Sequence, residues 1–423
     1  MRYQPWPIVC LGSKTRFISG GTPNKSEKCF WGGDIPWVSS AEMANDRIRE
    51  TTHEVTEDGA RNGTRLVPAK TVLVVVRGMS LANECRVSLT TRWSTFNQDV
   101  KALSLSTDLD PVFVFYYLKS QKLSLRDAAS EAAHGTKKLD VAVLEQWPFP
   151  IIPLSIQSKI AAILTAYDNL IETNKRRIAL LEKMAEEIYR EWFVRMRFPT
   201  HQNTKIIKGV PEGWQRKKFG EFCMLKRGYD LPSDLVEEGP YPVVASTSVK
   251  TFHKHYKVEP PVITTGRSGS LGDVLMTHTK AWPLNTALYV REFFGNSPFL
   301  IFYTLKNMGL EKFNSGAGVP TLNRNHVNGI PMIIPEKNLQ QRFDGIIEPI
   351  HKQAENFRQQ NINLTKTRDL LLPRLISGKL SVADLDIRFP PSMCEETENI
   401  DRKDRQLREE AQRLAISQER SKP

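Results

Sequence analysis

The chain repeats one order of motifs twice along its 423 residues. An aromatic segment, FVFYYLKS at 113–120 and FLIFYTLKN at 299–307, precedes a proline-bounded apolar segment, WPFPIIP at 147–153 and IPMIIP at 330–335. A Gln-containing stretch with helical character follows in both halves. Internal self-similarity of this kind indicates a repeated structural unit. It predicts two similar heads held apart by two helical rods, an arrangement that suits a ligand with two separated sites.

The predicted rods carry the apolar spacing of a coiled coil, with steps that alternate between four and three residues. Residues 156–195 contain neither Gly nor Pro. In the second rod, Gly345 and Pro349 predict a break or kink near the start, and Gly378 a C-terminal stop. The first seam comprises Ile160, Leu164, Tyr167, Ile171, Asn174, Ile178, Leu181, Ala185, Ile188 and Trp192. The second comprises Phe343, Ile347, Ile350, Ala354, Phe357, Asn361, Leu364, Arg368, Leu371 and Leu375.

An antiparallel register brings the polar members of the two seams together. If Ile160 faces Leu375, then Trp192 faces Phe343, and Asn174 faces Asn361. A buried Asn is costly unless its amide has a partner, and a facing Asn supplies one. The register therefore predicts a polar Asn–Asn layer that fixes the alignment of the rods. The alternative is two solvent-facing asparagines on unrelated helices.

The heads are predicted to be mixed and strand-rich. TVLVVVRG at 71–78 is a short β-branched run stopped by Gly, which is typical of a buried strand. FVFYYLKSQKL at 113–123 predicts a short buried helix. Together with the rods, these patterns predict an α+β fold.

Composition indicates a globular, basic chain and leaves open whether its partner is a polyanion. The net charge is +12, and no apolar run approaches the roughly 20 residues of a membrane span. The N-terminal residues lack the apolar core of a signal peptide, and the five cysteines are scattered without a CxxC pair. We therefore expect a cytoplasmic protein. An excess of positive charge makes nucleic acid a plausible partner, although a basic protein without such a ligand has the same composition.

Motifs for chemistry are missing. GRSGSLG at 266–272 does not match a dinucleotide-binding loop, and SGKLS at 377–381 lacks the rest of a phosphate-binding loop. His253 and His255 stand two apart without a third ligand nearby. No methyltransferase loop and no nucleophile elbow is present. This pattern favours a binding subunit over an enzyme, with no metal and no catalytic residue of its own.

Four segments resemble the specificity subunits of type I restriction–modification enzymes: residues 20–43, 59–78, 151–164 and 370–380. Each match is modest, but their order and their repetition in both halves are more specific. The segment GYDLPSD at 228–234 only weakly matches the GGTP of the first half. The charged tail beyond Phe389 lies outside the family pattern.

The resemblance implies an organisation that agrees with the repeated motifs. Two target-recognition domains would each bind one half of a split sequence in double-stranded DNA. Two long helices would form an antiparallel coiled coil between them and dock partners, namely methyltransferase subunits (two of them) and restriction subunits. The chain would bind no cofactor, and the complex would use S-adenosylmethionine, ATP and Mg through its partners. The implied ranges are 1–155 and 214–335 for the recognition domains, 156–196 and 336–380 for the helices, 197–213 for a linker and 381–423 for the tail.

Candidate DNA-binding residues are polar side chains that recur at matching places in the two halves. Arg can form two hydrogen bonds with the edge of guanine, and Asn or Gln can form two with the edge of adenine. The motif order matches Arg77 with Arg267, and Asn97 with Asn285. Local ion pairs and turn caps are the alternative roles for these side chains. Lys14, Arg16, Lys226 and Arg227 are candidates for phosphate contacts. The base-reading candidates are Arg77, Asn97, Gln98, Lys137, Lys138, Arg267, Asn285, Asn323 and Arg324.

Three functions remain open at the level of sequence. The first is a DNA-recognition subunit of a restriction–modification complex. The second is a non-catalytic structural scaffold that binds proteins through its two heads. The third is an enzyme with an unrecognised active site in one head. The target sequence and its spacer cannot be deduced, because specificity lies in loops.

Overall fold

A computed structural model describes residues 6–132, 136–246, 248–316 and 318–394. The chain divides into two compact units, and each unit contains part of both rods. The first unit comprises Met1–Glu172 and Asn361–Pro423, and the second comprises Thr173–Gln360. The predicted charged tail lies outside the described residues from 395 onward.

Helices follow the predicted pattern closely at the rods. Both rods are single helices, and the first continues beyond its α-helical part as a π-helical turn, Arg190–Val194. In chain order the α-helices are α1 Glu57–Arg61, α2 Pro111–Ser120, α3 Lys122–Asp127, α4 Val141–Glu145, α5 Leu154–Tyr189, α6 Phe219–Phe222, α7 Pro298–Asn307, α8 Arg324–Asn328, α9 Lys337–Ile376 and α10 Pro391–Cys394.

The strands of the first unit are β1 Ile8–Cys10, β2 Thr15–Ser19, β3 Trp31–Val38, β4 Arg47–Ile48, β5 Glu54–Val55, β6 Leu66–Val67, β7 Val72–Val75, β8 Arg77–Gly78, β9 Val87–Thr90, β10 Ser94–Phe96, β11 Val100–Leu105, β12 Ser130–Glu131, β13 Lys137–Lys138 and β14 Pro148–Pro150. They form four sheets, ordered β2-β11-β7-β9-β4, β5-β3-β10-β6, β12-β13-β8 and β1-β14. The predicted buried strand is β7, which is completely buried at the centre of the five-stranded sheet.

The second unit repeats the main sheets of the first. Its strands are β15 Ile206–Ile207, β16 Val210–Pro211, β17 Gln215–Lys218, β18 Met224–Arg227, β19 Tyr241–Val244, β20 Val249–His253, β21 Val262–Gly266, β22 Val274–Thr277, β23 Trp282–Pro283, β24 Ala287–Glu292 and β25 Pro331–Ile334. They form sheets ordered β18-β24-β21-β22, β20-β19-β23, β17-β25 and β15-β16.

The two units share one strand plan. The order β2-β11-β7-β9 corresponds to β18-β24-β21-β22, and β5-β3-β10 corresponds to β20-β19-β23. In both units the smaller sheet contains a parallel pair, β3 with β10 and β19 with β23. The aromatic segments form α2 and α7, and each begins with Pro directly after a capping side chain. The predicted α+β fold with two similar domains is confirmed.

A buried Gln fastens each long helix to the strands and helix of its own unit. Gln157 accepts a hydrogen bond from the Asp110 N–H and donates to the carbonyls of Asp108 and Ile152. Gln340 likewise accepts from the Ser297 N–H and donates to the Pro335 carbonyl. Since Asp110 and Ser297 cap α2 and α7, the same contact joins the same elements in both units.

In the first unit, α5 and the C-terminal part of α9 run antiparallel. Ile160 and Leu164 share one apolar cluster with Leu372 and Leu375. Further along α5, Asp168 forms an ion pair with Arg368, and the Ile171 carbonyl accepts a hydrogen bond from Asn361 at 3.3 Å. Successive contacts along α5 therefore involve α9 residues with decreasing numbers, as the antiparallel register requires.

The second unit shows the same direction of packing between the rest of α5 and the first part of α9. The Asn174 amide donates to Gln360 at 3.4 Å, and Arg177 lies over the Phe357 ring at 5.4 Å. Trp192 packs against Phe343 with 5.9 Å between ring centroids. Each seam residue in both helices is buried or half-buried. Because Asn174 and Asn361 belong to different units, their mutual pairing stays a prediction.

The break predicted in the second rod is wrong, because α9 is continuous through Gly345 and Pro349, while the kink stays a prediction. Proline lacks the N–H that would bond the carbonyl of Gly345, four residues earlier, and its ring crowds that turn. Both residues are exposed, so water can satisfy the freed carbonyl. Gly345 has no side chain to add to the crowding. The predicted stop is present: α9 ends at Ile376, and Gly378 has φ of 76°.

Candidate nucleic-acid interface

In the first unit, a small sheet gathers the cationic candidates. Lys138 pairs with Arg77 across β13 and β8, and Lys137 pairs with Gly78. Directly opposed residues of antiparallel strands lie on the same face, so Lys138 and Arg77 are neighbours. Asp140 neutralises part of this charge through an ion pair with Lys138 at 2.6 Å. Arg77 is exposed and is free to meet a ligand.

The turn that carries the amide candidates adjoins this sheet. The N–H groups of Val76 and Arg77 both donate to the Asp99 carbonyl, at 2.8 and 3.3 Å. Asn97 is only 6% exposed, and its side-chain oxygen accepts the Asp99 N–H at 3.1 Å. This geometry favours the turn-capping role for Asn97. Gln98 is exposed beside it.

The second unit also brings its candidates together. Arg267 donates from Nη1 to the Asn285 carbonyl at 3.3 Å. The Leu322 N–H donates to the Arg267 carbonyl at 2.8 Å, which places Asn323 and Arg324 next to this strand end. Asn323 accepts the Asn325 N–H at 2.9 Å and caps α8, so its side chain has a structural role. The Asn285 side chain donates to Asp230.

The backbone hydrogen bonds show that the matched pairs are one residue out of register. Arg267 and Ser268 donate to the Thr286 carbonyl just as Val76 and Arg77 donate to that of Asp99. Arg267 is therefore equivalent to Val76, not to Arg77. Because successive residues of a strand face opposite sides, a shift of one residue changes which face a side chain serves.

The same shift applies to the amides. The Val100 N–H donates to the Asn97 carbonyl, and the Ala287 N–H donates to the Leu284 carbonyl. Asn97 is therefore equivalent to Leu284, and Gln98 is equivalent to Asn285. The exposed amide of the first unit, rather than the buried one, has a counterpart in the second.

Around Asn285 the second unit adds a basic and aromatic cluster, of which the sequence analysis singled out Lys226 but not the aromatic residues or Lys257. Lys226 lies over the Tyr229 ring at 5.5 Å, and Lys257 lies over the Trp282 ring at 4.7 Å. Tyr229 and Tyr289 share a hydrogen bond of 2.9 Å. Lysines held on aromatic rings present positive charge at fixed positions, and rings offer faces for stacking. These residues are distant in sequence, so no local pattern could have revealed the cluster.

The phosphate-contact candidates differ in how closely a carboxylate pairs with each positive charge. Lys14 forms an ion pair with Asp108 at 2.7 Å, whereas Arg227 lies 3.8 Å from Asp230. Arg16 is exposed on β2. On the neighbouring strand β11, burial lowers the pKa of Lys101, whose ammonium group donates to Ser19. Exposed cations on this sheet are available to an anionic ligand.

Of the two neighbouring histidines, His253 has a structural role. His253 is buried, and its Nδ1 lies 3.1 Å from the Glu237 nitrogen and 3.0 Å from the Glu237 oxygen, which anchors that loop. Within the described part of the chain, no group of three or more His, Cys, Asp or Glu side chains is arranged to hold a metal ion. None of its helices combines the length and apolar character needed to cross a membrane.

Comparison with known families shows which family the chain belongs to. A model of the type I restriction modification DNA specificity domain matches residues 3–183 and again 211–366. The chain belongs to this family. The first matched range contains strands β1 to β14 and the second contains β17 to β25, and each also contains most of the long helix that follows.

Known specificity subunits resemble either most or part of this chain. The MjaIX specificity subunit of Methanocaldococcus jannaschii is 24% identical over 414 residues, covering 90% of this chain and 94% of that protein. The EcoR124I/EcoR124II specificity subunit of Escherichia coli is 28% identical over 182 residues, or 42% of this chain and 45% of its own length. The crystal structure of the M. genitalium type I S subunit superposes with a TM-score of 0.58 at 18% identity, covering 89% of this chain and 97% of that one, and shares its fold.

Proposed function

We propose that this specificity subunit binds a bipartite DNA target, with one half-site held by each unit. The observation that supports this most directly is the duplication of the strand plan, with an amide and basic residues at the same strand ends in both copies. Two similar binding surfaces on one chain fit two separate half-sites better than one continuous site.

The charge of the chain supplies affinity that does not depend on sequence. Lys and Arg together number 59 against 47 Asp and Glu. Contacts with phosphates dominate the affinity of DNA-binding proteins and weaken steeply as salt is added. Base-edge contacts by exposed side chains such as Arg77 and Gln98 then select the sequence.

Partner subunits would perform the chemistry. The proposal gives this chain no catalysis and no cofactor of its own; S-adenosylmethionine-dependent adenine methylation and ATP- and Mg-dependent cleavage belong to methyltransferase and restriction subunits. The outward faces of the helices offer apolar side chains for docking, since Leu180 and Leu370 are 61% and 66% exposed. Two such helical faces fit two methyltransferase subunits.

The test is to map methylated adenines in cells with and without this gene. We expect the gene to add one motif made of two defined half-sites with a constant gap. A continuous motif, or no gene-dependent methylation in cells that contain the partner subunits, contradicts the proposal. If the purified complex fails to bind DNA even at low salt, the result favours the scaffold alternative.

A further inference from the structure

One side-chain pair recurs at the same place in both units. In the first unit, the Thr22 hydroxyl donates to Gln98 Oε1 at 2.8 Å. In the second, Asn285 Nδ2 donates to the Asp230 carboxylate. Each pair joins the loop after an edge strand of the larger sheet to the turn after a strand of the smaller sheet.

Backbone contacts establish that the loop positions correspond. A Cβ on Gly20 would lie 2.2 Å from the Phe96 carbonyl oxygen and 2.6 Å from that of Asn97. A Cβ on Gly228 would meet the equivalent pair, at 2.5 Å from the Pro283 carbonyl oxygen and 2.2 Å from that of Leu284. Both loops therefore need glycine at this point, because no side chain fits against the neighbouring strand end. Thr22 and Asp230 each follow two residues after this glycine.

The next residue of each loop repeats the agreement. The Gly21 N–H donates to the Phe96 carbonyl at 2.9 Å, and the Tyr229 N–H donates to the Pro283 carbonyl at 2.8 Å. Phe96 and Pro283 end the strands that pair in parallel with β3 and β19. Since Gln98 and Asn285 are also equivalent, both members of the pair correspond.

The backbone geometry around the pair is the same in the two units, whereas the residue types of the pair differ. The glycines and the backbone bonds around the pair are the same in the two units, yet Thr with Gln becomes Asp with Asn. If the pair only held the loop in place, the same two residue types would suffice in both units. Domains that read different half-sites need a fixed position whose hydrogen-bonding groups differ.

The pair is also prepared for binding. A hydrogen bond to Thr22 or Asp230 restricts the amide before the ligand arrives, which lowers the entropic cost of contact. Gln98 is exposed beside Arg77, and Asn285 is half-buried beside Arg267. In the described residues, Gln98 keeps its amide N–H groups unused, while Asn285 keeps its side-chain oxygen.

We propose that Gln98 and Asn285 read one base pair each in the two half-sites, and that Thr22 and Asp230 are the residues that position them. The inference rests on the proposed function and deepens it. Asn and Gln carboxamides contact purine edges in the major groove, so the expected base at each position is a purine, adenine above all. The different groups left available on the two amides make different bases at the two positions possible.

The test replaces the gene with variants and maps methylated sites in the same cells. Gln98→Ala should relax discrimination at one base pair of one half-site about tenfold and leave the other half-site unchanged. Asn285→Ala should do the reverse, so each variant is the control for the other. Gln146→Ala removes an exposed amide with one side-chain partner, Cys10, in the first unit and should change neither half-site.

A second variant separates contact from positioning. Thr22→Asp combined with Gln98→Asn installs the pair of the second unit in the first, and should change the preferred base in that half-site. Thr22→Ala alone should weaken methylation of the original motif more than it changes the motif.

Each outcome bears on the inference. A wild-type bipartite motif that both alanine variants preserve overturns the inference but leaves the proposed function standing. If a variant abolishes methylation, its melting temperature decides: an unchanged value supports a DNA contact, and a lowered value marks a merely structural pair and overturns the inference. Absence of a bipartite motif in the wild type is the failure of the proposed function instead.

Discussion

At the scale of single residues, backbone hydrogen bonds determine which candidate side chains occupy equivalent positions in the two units. Arg77 and Arg267 were matched because the residue types agree, and the hydrogen bonds to Asp99 and Thr286 show that they differ by one position. Loop lengths differ between the two halves, so identity alone cannot fix which residue of a turn is equivalent. The buried state of Asn97 was equally hidden, because an exposed and a capping Asn look alike in sequence.

Gln157 and Gln340 provide a residue-scale prediction. Replacing either with Ala removes three hydrogen bonds and leaves buried backbone groups without partners, which costs about 3 kcal/mol of unfolding free energy. Urea unfolding of the purified chain measures the loss. Gln146→Ala, at an exposed amide, should stay within about 0.5 kcal/mol of wild type. Equal losses at buried and exposed positions would argue against the role given to these two residues.

At the scale of elements, the rods were the most predictable part of the molecule. Their apolar spacing runs over many turns, and α5 and α9 begin within two residues of the predicted starts, 156 and 336. The heads were less predictable, because strands such as β8 and β13 are two residues long and carry no periodicity. Among the head elements, β7, a continuous β-branched run, and α2, an aromatic run, were recognised beforehand.

The ion pair between α5 and α9 in the first unit gives an element-scale prediction. Asp168 and Arg368 have side chains only 12% and 11% exposed, and the Tyr116 hydroxyl also donates to Asp168 at 2.6 Å. Asp168→Ala should cost about 3 kcal/mol, because it leaves a guanidinium group poorly compensated in a buried site.

The matched control is the exposed pair between the same two helices in the second unit. Glu182 and Arg358 have side chains 51% and 43% exposed. Glu182→Ala should cost less than about 1 kcal/mol, since solvent screens such pairs. Denaturant unfolding that gives both variants the same loss contradicts the importance assigned to Asp168.

A histidine of α9 that contacts α7 predicts how the stability of the chain responds to pH. Burial, with the positive charges of His278, Arg358 and Lys306, lowers the pKa of His351 from 6.5 to about 4. Its Nε2 lies 2.8 Å from the Tyr303 hydroxyl. Between those pH values the unfolded chain binds a proton that the folded chain does not, so stability is retained above pH 6.5 and falls as the pH drops towards 4.

The measurement is the unfolding free energy of wild type and His351→Gln between pH 7.5 and 4.5. Wild type should lose about 2 kcal/mol more than the variant across this range, because Gln keeps a polar partner for Tyr303 and does not titrate. Parallel pH profiles for the two proteins would show that another group controls the acid sensitivity.

At the scale of the whole molecule, internal duplication was the most useful property of the sequence. It predicted two similar domains, each with a long helix, and the two family matches at 3–183 and 211–366 follow the same division. Which bases each domain reads could not be predicted, because the loops around Gln98 and Asn285 obtain their geometry from strands far away in sequence. The duplicated plan instead predicts that specificity is modular.

Exchange of one domain tests this central claim most directly. Residues 1–150 are replaced by the corresponding residues of another family member, and methylated sites are mapped in cells that contain the partner subunits. We expect one half-site to change to that of the donor, while the other half-site and the gap between them stay the same. A change in both half-sites, or in neither, would contradict the reading of one half-site by each unit.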